Sequence, residues 1–208
     1  MTHPHWPGPL PLVAILRGIR PDEAAAHAQA LFDAGFDCIE VPTNSPDWPA
    51  SLRAIRALDC PGMLLGAGTV LSAEHLDALQ AAGGQLAVSP HVHVALIEAC
   101  VRRGLLPMPG AMTASEIFAA WRAGARAVKL FPAATLGPGH VKALRAVLPP
   151  DLKLLAVGGV TVDNLADYLR AGCAGAGLGG ELYRPGQTPE ETSRRAAAFV
   201  AAWRTAAA

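Results

Sequence analysis

The sequence lacks several features that would assign it to a class at once. Its 208 residues carry 17 basic and 17 acidic side chains, so the formal net charge is zero. A neutral chain without a polybasic run lacks the charge expected of a nucleic-acid-binding or membrane-surface protein, and we expect neither partner. Only 16% of the residues are charged and 51% are hydrophobic, which argues against disorder and allows a large core.

Cysteines are few and widely spaced. Cys38, Cys60, Cys100 and Cys173 form no CxxC pair. A disulfide framework or a zinc cluster is therefore disfavoured, and four buried thiols in a reducing cytoplasm are expected.

Charged residues interrupt every apolar run before it reaches the length of a membrane span. The start of the chain does not resemble a secretory signal. We expect a single domain over residues 1–208, in which residues 1–9 form a flexible extension.

The chain does contain one pattern repeated eight times. A short apolar run ends at a glycine or proline turn, and an alanine- and leucine-rich helical stretch follows. The predicted strands are Leu12–Gly18, Cys38–Pro42, Met63–Val70, Gln85–Pro90, Leu105–Gly110, Ala127–Pro132, Lys153–Val160 and Ala174–Gly180. Eight such units predict an α/β protein with a small closed (β/α)8 TIM barrel, with an open doubly wound sheet as the alternative.

Two charged residues lie where such a barrel should be apolar. The chain has three lysines, and Lys129 alone is flanked by valine and leucine within a predicted strand. Glu40 occupies a similar place between Ile39 and Val41. Active sites of these barrels lie at the carboxyl ends of the strands, where both residues are expected. A buried lysine with a lowered pKa can attack a carbonyl, and a carboxylate beside it can transfer protons. A purely structural ion pair is the alternative.

Glycine pairs end the last two predicted strands. Gly158-Gly159 and Gly179-Gly180 stand where the loops of this fold often bind phosphate through backbone N–H groups. His91 and His93 stand two residues apart after Pro90. No carboxylate motif accompanies these two histidines, so we expect no metal there.

Five motifs together carry a resemblance over about residues 10–205. They are Leu16-Arg17-Gly18-Ile19, Ile39-Glu40-Val41-Pro42, Gly66-Ala67-Gly68-Thr69-Val70, Val128-Lys129-Leu130-Phe131-Pro132 and Val157-Gly158-Gly159-Val160. In this order they resemble the aldolases that cleave 2-keto-3-deoxy-6-phospho sugar acids. Asn44-Ser45-Pro46 and Leu182-Tyr183-Arg184 resemble the members acting on the galacto-configured acid.

The resemblance implies a class I aldolase without a cofactor, and a homotrimer. Its substrate would be a phosphorylated sugar acid, and its products pyruvate and D-glyceraldehyde 3-phosphate. Lys129 matches the Schiff-base lysine and Glu40 the general acid/base. The other matches are substrate-contacting positions, namely Arg17, Thr69, Pro90, Phe131, Asn44 and Val157, and phosphate-binding positions, namely Gly158, Gly159, Gly179 and Gly180. The family often has serine where Gly180 stands, and glycine offers the phosphate its N–H without a hydroxyl.

Three alternatives stay open at this point. The first is a sister aldolase acting on 2-dehydro-3-deoxy-6-phosphogluconate or on 4-hydroxy-2-oxoglutarate. The gluconate-specific sisters often carry arginine where Asn44 stands and threonine where Val157 stands. The second is a metal-dependent aldolase using His91 and His93. The third is a barrel that binds a phosphorylated metabolite without catalysis, although binding alone does not require a buried amine.

Overall fold

The protein is a closed parallel barrel surrounded by helices. The computed structural model describes Gly8 and residues 10–207, so the predicted extension over 1–9 lies outside the described residues except for Gly8. The strands are β1 Leu12–Ile15, β2 Cys38–Pro42, β3 Leu64–Gly68, β4 Leu86–Ser89, β5 Leu106–Ala111, β6 Ala127–Leu130, β7 Lys153–Val157 and β8 Gly175–Leu178. Each strand pairs in parallel with its neighbours in chain order, and β8 closes on β1. The predicted (β/α)8 barrel is confirmed.

A helix follows every strand and covers the outside of the barrel. The helices are α1 Pro21–Asp33, α2 Trp48–Arg56, α3 Ala73–Ala81, α4 Val94–Arg102, α5 Ala114–Arg122, α6 Ala133–Arg145, α7 Leu165–Arg170 and α8 Pro189–Ala207. Several start at a side-chain cap, as at Ser72 before α3 and at the capping box of Thr113 and Glu116 before α5. No helix of the described residues is long and apolar enough to cross a membrane.

The strands are buried on both faces, which explains their nearly continuous apolar sequences. One face of each strand packs against the helices in a large outer core. The other face fills the barrel with side chains that include Val13, Cys38, Leu64, Met108 and Leu155. Strand side chains alternate between these two cores.

Several predicted strands run too far at their carboxyl ends. The runs of β1, β3, β6, β7 and β8 were each predicted to extend two or three residues beyond the observed strand. Glycines with positive φ lie in the segments that follow two of these strands, at Gly18 (81°) after β1 and at Gly158 (94°) and Gly159 (74°) after β7. Residues predicted at strand ends therefore lie in the loops at the rim of the barrel.

The cysteines match their prediction in part. Cys38, Cys100 and Cys173 are buried, whereas Cys60 is only half-buried after α2. Burial raises the pKa of Cys100 to about 11 and that of Cys173 to about 12, so these two thiols stay protonated at neutral pH.

Candidate active site

A cavity of ≈ 260 Å³ opens at the carboxyl ends of the strands. It is lined by Ile15, Arg17, Thr69, Pro90, Lys129, Phe131, Val157, Gly158, Gly159, Val160, Gly177, Gly179, Gly180 and Glu181. Ten of these residues were predicted from the sequence to contact the substrate or its phosphate, or to react with it. Glu40 and Asn44 are the two predicted site residues that do not line the cavity.

Lys129 points into the barrel from β6. It is 7% exposed, and its Nζ lies 4.7 Å from the centre of the Phe131 ring. Burial lowers the pKa of Lys129, the nearby charge of Glu40 opposes this change, and the positive charge of Arg17 adds to it. The other two lysines, Lys142 and Lys153, are exposed. Lys129 is therefore the lysine whose surroundings favour a neutral amine.

Glu40 lies on β2 and is 2% exposed. Burial raises the pKa of Glu40 to about 7, although the positive charges of Lys129 and Arg17 act in the opposite direction. Its Oε2 has no hydrogen-bond partner among the described residues. A carboxyl group with this pKa can both give and take a proton near neutral pH.

Gly68 makes room for the Glu40 carboxylate. A Cβ at Gly68 would lie 1.8 Å from Oε2 of Glu40, so any side chain there would displace the carboxylate. The next residue, Thr69, has the left-handed φ of 56°, which is uncommon for a β-branched residue. The hydroxyl of Thr43 donates to the Thr69 carbonyl at 2.7 Å and fixes the backbone of this turn.

Arg17 is held at the rim by the loop after β2. Its Nη1 donates to Oδ1 of Asn44 at 2.8 Å. The backbone N–H of Gly18 donates to Oγ of Ser45 at 2.9 Å. Asn44, predicted to contact substrate, thus lies behind Arg17 and orients its guanidinium. A guanidinium fixed in this way is suited to binding a carboxylate.

The loops after β7 and β8 present backbone donors at the other end of the cavity. Among the hydrogen bonds that join described residues, none uses the N–H of Gly158, Gly159, Gly179 or Gly180 as a donor. A Cβ at Gly179 would meet no atom within 4 Å, and one at Gly180 would meet only Nε of Arg184, at 3.9 Å. Open space above unused N–H groups is what an anion requires.

Four lining residues were missed from the sequence. Ile15 and Gly177 are inward-facing positions of β1 and β8, and the two-residue alternation of strands could have found them. A Cβ at Gly177 would lie 2.9 Å from Cγ2 of Val157, so a side chain at position 177 would clash with the Val157 side chain. Val160 and Glu181 lie in loops, where no periodic signal exists. The carboxylate of Glu181 pairs with Arg184 at 3.4 Å.

The two histidines after β4 take part in other contacts. Nδ1 of His93 accepts the N–H of Leu96 at 3.1 Å and caps α4. The His91 and His93 rings contact each other with their centres 6.2 Å apart. Among the described residues, no group of three or more His, Cys, Asp or Glu side chains is arranged to hold a metal ion.

Comparisons with known proteins agree with this site. The family model "KDPG and KHG aldolase" matches residues 9–192. The 2-dehydro-3-deoxy-6-phosphogalactonate aldolase of Escherichia coli K12 is 54% identical over 97% of this chain and 98% of its own. The solved "Native KDPGal structure" is 53% identical, with a TM-score of 0.95 over 97% of this chain and 98% of that one.

A second solved structure has a similar barrel within a designed assembly. It is a cube-shaped protein cage made "by fusing symmetric oligomeric domains". It is 54% identical with a TM-score of 0.94, over 96% of this chain and 74% of the designed one. The family model covers residues 9–192, and the relative from Escherichia coli is 54% identical over 97% of this chain. These two findings show that the chain belongs to the KDPG and KHG aldolase family. It is an aldolase, a lyase that breaks carbon–carbon bonds.

Proposed function

We propose that this aldolase cleaves 2-dehydro-3-deoxy-6-phosphogalactonate to pyruvate and D-glyceraldehyde 3-phosphate. The observation that carries the proposal is Lys129, a buried lysine lining the cavity, with the protonatable carboxyl of Glu40 buried near it. The 54% identical relative with this activity supports the choice of substrate. The reaction would belong to the catabolism of galactonate.

The first half of the reaction joins the substrate to Lys129. The neutral amine attacks the C2 ketone, and a carbinolamine forms. Loss of water, with proton transfers assigned to Glu40, gives a protonated imine. The pKa of Lys129 is lowered by burial, which favours the neutral amine that this attack needs.

The second half breaks the C3–C4 bond. Glu40 as a carboxylate takes the proton of the C4 hydroxyl, the aldehyde leaves, and the bonding electrons move into the imine to give an enamine. Protonation at C3 and hydrolysis of the imine then release pyruvate and restore Lys129. The protonated imine is the electron sink, so this chemistry is complete without a metal ion or organic cofactor.

The remaining lining residues divide between the two ends of the substrate. We assign the pyruvyl carboxylate to Arg17, with Thr69, Pro90 and Phe131 forming the walls around it. The phosphate is assigned to the unused N–H groups of Gly158, Gly159, Gly179 and Gly180. Val157 lines the same cavity and precedes Gly158 in the chain, and we assign it to the C4 region.

The substrate assignment is tested with the two C4 epimers side by side. Val157 has no hydroxyl, so a C4 hydroxyl directed at it would be buried without a partner. That costs about 1–3 kcal/mol, or roughly 5–150-fold in rate. We expect a higher kcat/KM for the galacto-configured 6-phosphate than for the gluco epimer, by a factor in that range.

The variant Val157→Thr sharpens this test. A threonine hydroxyl would give the gluco hydroxyl a partner, so the variant should narrow the gap between the two epimers. Val162→Thr makes the same substitution at an exposed site, and it is the matched control that should leave the ratio of the two kcat/KM values unchanged. Val128→Thr would not serve, because Val128 is buried in the outer core. Equal rates on both epimers in the wild type, or a gluco preference, would overturn the substrate assignment.

We also propose that the chain works as a homotrimer in the cytoplasm. The relative from Escherichia coli is named for a phosphorylated sugar acid, and the designed cage that contains a similar barrel was made by fusing symmetric oligomeric domains. Sedimentation equilibrium should give three times the mass of one chain, and a monomer or dimer would exclude the trimer.

A further inference from the structure

The phosphate end depends on the geometry of two loops. The β7 turn (residues 158–161) and the β8 turn (residues 179–187) present N–H groups of glycines, which bring no side chain of their own to a ligand. The direction of each N–H then depends on the peptide conformation alone. Something outside the glycines has to hold these peptides, because a glycine backbone has the widest choice of conformations.

One side-chain amide holds the β7 turn. Asn164 donates from Nδ2 to the carbonyl of Gly159 at 3.0 Å. Its Oδ1 accepts the N–H of Thr161 at 2.9 Å. Both ends of the amide are therefore bonded to the backbone of the turn that carries Gly158 and Gly159, and neither of them needs to contact a ligand.

A second side-chain amide holds the β8 turn. Oε1 of Gln187 accepts the N–H of Arg184 at 3.0 Å, and its Nε2 donates to the carbonyl of Leu182 at 3.0 Å. The same Nε2 donates to Oγ1 of Thr192 at 2.7 Å, which ties the turn to α8. Thr192 is fully buried and shares a hydrogen bond of 2.8 Å with Nδ1 of His27 on α1.

Further bonds carry this support to the glycines themselves. The N–H groups of Leu182 and Tyr183 donate to the carbonyl of Gly179 at 2.8 and 2.9 Å. Nε of Arg184 donates to the carbonyl of Gly180 at 2.6 Å. Gln187 bonds the backbones of Leu182 and Arg184, and these two residues in turn donate to the carbonyls of Gly179 and Gly180. This gives the Leu182-Tyr183-Arg184 motif a structural reason.

We infer that Asn164 and Gln187 are positioning residues that aim the N–H groups of the two glycine turns at the substrate phosphate. Neither lines the cavity. The inference rests on the proposed function, since it needs a phosphorylated substrate. It separates the two ends of the cavity: loss of either amide weakens binding of phosphate and leaves the reaction of Lys129 with pyruvate intact.

The test uses Gln187→Met, which keeps the side-chain length and removes all three hydrogen bonds. Three quantities are measured: KM for the 6-phosphate substrate, Ki for inorganic phosphate, and the apparent Kd of pyruvate from borohydride trapping. We expect KM and Ki to rise about tenfold, because a misplacement of about 1 Å caused by a distant mutation can cost up to about 10²-fold. The Kd of pyruvate should stay within about twofold.

Two further variants complete the design. Asn164→Leu removes both hydrogen bonds of the side-chain amide at the β7 turn, and it should raise KM and Ki while leaving the Kd of pyruvate unchanged. It therefore tests the inference independently of whether Gln187→Met folds. Gln29→Met is the matched control, because the Gln29 side chain donates to Asp33 on the surface of α1 at 2.8 Å and bonds no other side chain among the described residues. All three measured quantities should keep their wild-type values in Gln29→Met.

Two results would overturn the inference. One is an unchanged KM and Ki in folded Gln187→Met and Asn164→Leu. The other is a Kd for pyruvate that rises in parallel with KM, since that shows a general disturbance of the barrel. Failure of the wild type itself to trap pyruvate would instead overturn the proposed function, so the two failures are distinguishable.

Discussion

The reactive end of the cavity relies on side chains of strands, and the phosphate end relies on the backbone of loops. At the reactive end, Lys129 on β6 and Glu40 on β2 are fixed by the barrel and shifted in pKa by burial. At the phosphate end, the glycine turns have no such support and are held by amides behind them. In the proposed function, the reactivity of Lys129 and Glu40 is set by desolvation, whereas affinity for the phosphate is set by loop geometry.

Apart from replacement of Lys129, the substitution expected to lower turnover most is Glu40→Gln. The amide keeps the size of the side chain and cannot transfer the proton, so turnover should fall about 10²–10⁴-fold while the fold is retained. Steady-state cleavage and circular dichroism together check this. Glu98→Gln, on the exposed face of α4, is the matched control. Activity within a few-fold of wild type would make Glu40 a structural partner.

The pH dependence of kcat/KM should report the same carboxyl group. With the pKa of Glu40 raised to about 7, the carboxyl is protonated below that pH and cannot accept the C4 proton. The rate should therefore rise with pH through about 7. In Glu40→Gln this limb should disappear, because glutamine has no carboxyl group to titrate near pH 7. A limb at the same midpoint in the variant would assign it to another group.

The smallest effect concerns the phosphate end. Gly180→Ser adds a hydroxyl in open space beside Arg184. One added hydrogen bond contributes about 0.5–1.5 kcal/mol, so KM for the 6-phosphate substrate should fall roughly 2–10-fold. Gly180→Ala adds the Cβ without the hydroxyl and should leave KM near the wild-type value. Equal KM values for the serine and alanine variants would contradict phosphate binding at this turn.

The two ends also differ in how far the sequence predicts them. Lys129 and Glu40 are conspicuous because charges are rare in strands buried on both faces. The glycine pairs follow from the rule that anions bind after the last two strands of such a barrel. The closed barrel itself follows from eight repeats of similar length. What is common to these features is a departure from, or a repeat of, a regular pattern.

The supporting residues escape prediction for the same reason. Gln187 and Asn164 are polar residues in loops, where polar residues are ordinary, and only the folded backbone shows what they hold. Asn44 was predicted to touch substrate, and its bond to Arg17 depends on how the loops after β1 and β2 meet. Strand ends were predicted too late because Gly158 and Gly159 read as part of an apolar run.

The central claim is that Lys129 is the nucleophile, and one measurement tests it most directly. Borohydride is added to the enzyme in the presence of pyruvate, and the modified peptide is identified by mass spectrometry. The account predicts a single reduced adduct on the peptide that contains Lys129, and none in Lys129→Met. The exposed Lys142 and Lys153 serve as internal controls. An adduct on either of these lysines, or no adduct at all, would contradict the account.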